Sequence, residues 1–122
     1  MPDSGQDIVN ILSKLRESLM AETEALRTFG RRAAIADRNY RLAFRKEVFR
    51  LHEEDGVAWT ACSDLARGQE DDGDQQGCAN LRLNRDIAVT EKEVAQERIN
   101  CMKIEIRLLE SEVNEALGRG RR

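Results

Sequence analysis

Apolar residues recur at Ile8, Leu12, Leu15, Leu19, Leu26, Phe29, Ala33, Ala36, Tyr40 and Ala43, in steps of four and three, with Glu22 filling the one gap. A helix puts positions so spaced on a single stripe, whereas a strand would throw alternate members to opposite faces. The pattern is that of a heptad seam, and it commits the first half of the chain to one long helix. Beyond Tyr40 the larger residues Phe44, Val48 and Leu51 carry the stripe on with a local drift of the kind a stutter produces. The spacing predicts a helix over about 4–54, capped by Ser4 or Asp3 and stopped by Gly56. At 1.5 Å per residue such a rod is about 75 Å long.

A short helix is expected over about 60–67, with Thr60 as its cap, Trp59 just before it and Gly68 as its stop. The stretch GQEDDGDQQG, residues 68–77, has three glycines and no apolar residue and reads as an exposed, mobile acidic loop, with Asp72 or Asp74 capping the next helix. That third helix is predicted over about 78–117. Its periodicity is clearest at Ile99, Met102, Ile106, Leu109, Val113 and Ala116, with Leu81, Ile87, Ala88, Val94 and Ala95 earlier. Gly118 should end it and leave 118–122 as a basic tail.

The expected fold is therefore all-α: one domain of 122 residues, built as a long antiparallel two-helix hairpin with the short helix and acidic loop at its turn. Charged residues make up 35% and aromatics 4%, a mixture that fits solvated helices with a narrow seam and disfavours a sheet. Because two helices alone leave much of a seam wet, a homodimer that forms a helical bundle is expected. No apolar run suits a membrane span and no signal-peptide pattern opens the chain, so a cytoplasmic protein without membrane contact is expected. Cys62, Cys78 and Cys101 have neither disulfide-framework nor zinc-knuckle spacing and read as reduced, partly buried thiols.

Charge is distributed unevenly. Residues 27–50 hold eight bases and two acids, and residues 51–74 hold one base and eight acids, in a chain of net charge -3. On a helix turning about 100° per residue, Arg27, Arg31, Arg38, Arg41 and Arg45 lie within about 40° of one line, opposite the seam. The segment's acids fall elsewhere: Asp37 to one side and Glu47 among the seam positions. The usual neutralisation four residues apart is thus expected to be missing. Arginine suits phosphate or carboxylate, so the stripe implies an acidic partner. With no aromatic interleaved, backbone phosphates or an acidic protein surface fit better than stacked bases. The acidic turn, with Glu53, Glu54, Asp55, Asp71, Asp72 and Asp74, presents phosphate-like charge that competes for a basic nucleic-acid channel.

Catalytic patterns are missing. His52 is the only histidine, which excludes a histidine-based triad or a two-histidine metal motif. DGDQQG opens like a calcium loop but puts Leu83 where a bidentate Glu is required, so neither metal nor cofactor is expected. Trp59 reads as packing over the hairpin end or as an anchor for a partner.

The stretches DRNYRLAFRKE, GVAWTACSDLARG, LRLNRDIAVTE and INCMKIEIRLLESEV resemble a group of small helical-hairpin proteins encoded by phages and prophages, over roughly residues 8–115. These are packing and turn motifs, so no site residue carries over, and the loop QEDDGDQQG departs from the group's more continuous helix. The resemblance implies a mobile-element protein acting in nucleic-acid transactions by binding, as anti-CRISPR proteins do. The first expectation is thus a non-catalytic protein that inhibits or modulates a nucleic-acid-handling complex. The second is a nucleic-acid-binding accessory protein of recombination or replication that uses the arginine stripe. A purely structural coiled-coil oligomer needs no charged site at all, and an enzyme fits worst.

Overall fold

The computed structural model describes residues 5–120. Three helices account for most of them: α1, Gly5–Glu53; α2, Trp59–Arg67; and α3, Cys78–Gly120. Among the described residues there is no strand, only an isolated antiparallel bridge between Asp72 and Gln75. The all-helical expectation holds, and α1 and α3 pack against each other. The caps expected at Asp3 or Ser4 lie outside the described residues, as do Arg121 and Arg122. Gly118 does not stop α3, whose backbone stays helical to Gly120. No described helix is long and apolar enough to cross a membrane.

The chain divides into two compact units. The first combines α1 up to Thr28 with α3 from Glu93. Its seam is the heptad stripe: Leu12, Ala95, Ile99 and Ile106 are buried, and Ile8, Leu15, Leu19, Met102 and Leu109 are half-buried around them. Arg16 reaches across to Glu110 at 3.0 Å, an exposed pair worth at most about 1 kcal/mol.

The second unit spans Phe29–Lys92. Leu51, Cys62 and Ala66 form its core, with Phe44, Val48 and Val57 packed against them. This explains the drift in the stripe. Tyr40 and Glu47 stay on the heptad face and are buried, while Phe44 and Val48 lean toward the small residues of α2. α1 ends where Gly56 takes φ +67°, and the Val57 N–H donates to the Leu51 carbonyl at 3.0 Å. That left-handed turn is inexpensive only for glycine.

The start of α2 differs from expectation. Ala58 holds the cap position with no side-chain bond, and Trp59, not Thr60, opens the first turn. The Ala58 carbonyl already accepts from the Ala61 and Cys62 N–H groups, so the cap sits two residues earlier than Thr60 would place it.

Candidate functional site: the acidic and aromatic end of the second unit

The loop after α2 is held together by hydrogen bonds rather than left open. Gln69 is its hub. The Gln69 side-chain amide donates to Glu47 Oε2 at 2.7 Å and accepts from the Cys78 N–H at 3.2 Å, while its backbone carbonyl accepts from the Ala79 N–H at 3.1 Å. The first free N–H groups of α3 are satisfied by this one residue, a job more often done by a local cap. Asp71, rather than Asp72 or Asp74, completes the start of α3: its carboxylate accepts from the Gly77 N–H at 2.7 Å and from the Asn80 amide at 3.4 Å. Gly77 is buried in close contact with the Gln69 and Glu70 carbonyls, where a Cβ would overlap both.

Glu47 is 6% exposed, and a carboxylate so placed must be paired. Arg50 supplies two parallel bonds from one turn on, with Nε at 2.9 Å from Oε2. The Glu47 hydrogen bond and charge hold the Arg50 guanidinium protonated well above its ordinary range. The same guanidinium reaches Asp55 at 3.1 Å and Glu54 at 3.9 Å. Arg50, Lys46, Glu70, Asp72 and Asp74 line an open groove of about 1020 Å³ between α1 and the loop. No cluster of three or more His, Cys, Asp or Glu side chains suited to a metal occurs among the described residues.

The expected acidic patch is therefore smaller than its composition. Glu54 and Asp55 lean on Arg50, Asp64 pairs with Arg67 at 3.1 Å, and Asp71 is used as a cap. Glu53, Glu70, Asp72 and Asp74 remain exposed with no side-chain ion pair among the described residues. The arginine stripe shrinks likewise. Arg31, Arg38, Arg41 and Arg45 are all exposed in this unit, but Arg41 pairs with Asp37 at 2.9 Å, four residues back. That pairing corrects the expectation that none would occur. Asp37 also stands 4.0 Å from Arg85, whose guanidinium lies 4.7 Å from the centre of the Tyr40 ring. Arg27 belongs to the first unit and pairs with Glu24 at 3.2 Å. Arg31, Arg38 and Arg45 are left with no ion pair among the described residues.

The same unit also presents an aromatic surface. Trp59 stacks on His52 with ring centres 3.7 Å apart and meets Phe49 edge-on at 5.7 Å. His52 Nδ1 is 2.8 Å from the Val57 carbonyl, which makes it the protonated nitrogen and locks the ring. Trp59 remains 51% exposed and Phe49 55%, so packing has not used these rings up. Sequence reasoning weighed Trp59 and missed Phe49, although Phe49 lies seven residues after Leu42 and fourteen after Ile35, a second apolar stripe on α1. Gln69 carried no signal of its own, but a glutamate in the seam at position 47 called for a partner.

The thiols separate into two classes. Cys62 and Cys78 are fully buried, whereas Cys101 is exposed, contrary to the expectation that all three are partly buried. Burial, and then the Glu47 charge, push the Cys78 thiol above its ordinary value. A native-state titration with a thiol reagent at pH 8 should modify Cys101 within minutes and leave Cys62 and Cys78 until the protein unfolds. Because an unfolded chain would ionise Cys78 first, stability should fall as pH rises above about 8.5. Equal labelling of all three native thiols would contradict this packing.

Fold and site together define a class: a helical protein whose second unit presents an exposed aromatic pair, Phe49 and Trp59, near the exposed Glu53, with no cluster of metal-ligating side chains among the described residues. No family model, curated protein or solved structure matches the chain.

Proposed function

We propose that this chain is a non-catalytic binding protein of a phage or mobile element that docks its acidic, aromatic end on the basic nucleic-acid channel of a host or phage complex and blocks it. The observation that carries this reading is the exposed Phe49 and Trp59 pair, held against His52, with Glu53 exposed and without an ion pair among the described residues one turn after Phe49, and Glu54 and Asp55, which lean on Arg50, just beyond it. Preorganised aromatic side chains lose little entropy on binding and are the usual hot spots of an interface. The adjacent carboxylates supply the charge that a DNA-binding channel selects. We read the helix pair that presents this end as an antiparallel hairpin. Within the second unit, Asp37 neighbours Arg85, whereas Glu47 is joined through Gln69 to Cys78, so α3 descends as α1 rises.

The test is inhibition of DNA binding by purified CRISPR effector complexes and phage recombinases. With the responsive target, Trp59→Ala should weaken inhibition by about 30-fold or more, the size of a 2 kcal/mol hot spot. Replacing Arg31, Arg38 and Arg45 together by Gln should leave it unchanged. A second reading, direct binding of nucleic acid, is favoured by the three exposed arginines that have no ion pair. It expects salt-sensitive retention on a DNA column that the triple Gln variant loses and Trp59→Ala keeps. If neither inhibition nor retention occurs, both readings fail.

A further inference from the structure

α3 has a second apolar face. Leu83, Ile87, Val94, Ile104 and Leu108 are each 45–62% exposed, and Cys101 is exposed with them. With Thr90 and Glu97 they recur in steps of four and three from 83 to 108, a heptad spacing of its own. This stripe runs two positions after the packed one of Ala88, Ala95, Ile99 and Ile106, hence about 200° around the helix, on the opposite side. Ile87 and Val94 were expected in the core, and they mark this face instead. It is a property of α3 alone, continuous over about 38 Å of one helix.

We propose that this face binds the same face of a second copy of the chain, antiparallel, with the two-fold axis passing between Ala95 and Gln96. The pattern is self-complementary in that orientation. Leu83 meets Leu108 of the second copy and Ile87 meets Ile104, while the polar pair Thr90 and Glu97 falls opposite Cys101 and Val94, near the centre. Polar residues at a few core positions set the register of such pairs. The flanking charges agree: Asp86 comes beside Arg107 of the other copy, and Glu91 beside Arg98. The Asp86 carboxylate pairs with the neighbouring Arg85, and Glu91, Arg98 and Arg107 make no ion pair among the described residues. A parallel dimer in register is worse. It gains Glu93 with Arg98 and Arg107 with Glu112, but it presses two Glu97 carboxylates into one apolar layer and sets Asp86 beside Glu91. Self-complementarity under reversal is what selects a second copy over an unrelated helix.

The experiment combines sedimentation with cysteine cross-linking on the full chain. At about 20 µM the wild type should sediment at twice 13.9 kDa, and Ile104→Glu should shift it to monomer with the helical circular dichroism unchanged. Oxidation by diamide should cross-link Thr90→Cys through Cys101 of the other copy into a dimer on a denaturing gel. Wild type should not cross-link, because the axis holds the two Cys101 residues about 16 Å apart along the helices, beyond disulfide reach. A monomeric wild type would overturn the proposal, as would a dimer indifferent to Ile104→Glu. Ready cross-linking of wild type through Cys101 would overturn the antiparallel register.

Discussion

Replacing Gly77 by alanine should destabilise the second unit by at least about 3 kcal/mol and lower its melting temperature by roughly 10–20 °C. The cause is steric and local. A Cβ at this position would overlap the backbone carbonyls of Gln69 and Glu70, and backbone has no flexible end that can swing aside. Relief requires the loop to move off the start of α3, which would break the Gly77–Asp71 bond at 2.7 Å and the Gln69–Cys78 bond at 3.2 Å. First-turn N–H groups would then lose their partners in a buried place. Thermal unfolding followed by circular dichroism measures the effect. Alanine at Gly73, which has φ +60° but open space around it, should cost only about 1 kcal/mol. Equal losses at the two glycines would show that strain at positive φ, rather than the close approach, dominates.

Glu47→Ala should cost about 2–3 kcal/mol, because it removes the acceptor for the Gln69 amide in a part-buried site and leaves the neighbouring cation without its main counter-charge. The loss should be shared with Gln69. In a double-mutant cycle, Glu47→Ala and Gln69→Ala together should cost less than the sum of the singles by about 1 kcal/mol or more. Glu47→Gln separates charge from hydrogen bonding: it keeps an oxygen for the Gln69 amide, so it should cost about half as much as alanine. Urea unfolding at constant m gives these differences. Strict additivity would mean that Glu47 and Gln69 act separately, and that the link from α1 through the loop to α3 contributes little.

The two long helices were legible because a heptad spacing is a local property: each residue's place on the stripe depends only on its neighbours three and four away. The same holds for Gly56 as the end of α1, where the chain needs a positive φ. Legibility weakened wherever a residue had two plausible partners. Asp37 was placed to the side of the arginine stripe by its wheel position, yet its carboxylate reaches Arg41 one turn on and comes near Arg85 on α3. Thr60 had the chemistry of a cap but not the place, since the turn at Ala58 is set by the packing of Val57 and Cys62 on Leu51. The candidate site was read in outline, as an acidic turn with a tryptophan. Which carboxylates stay unpaired there depends on the reach of Arg50 and on the cap made by Asp71.

What the sequence alone determined is the helical repeat, the position of the breaks and the side of α1 on which the arginines lie, because these depend only on backbone geometry and the sequential spacing of side chains. Tertiary structure decided which of the two apolar stripes of α3 is buried, since both satisfy the helical period and only one finds a facing helix. It also decided that Glu47 is held by Gln69, a residue 22 positions away. A buried carboxylate announces that it needs a donor, but which donor arrives is settled only when the loop closes over it.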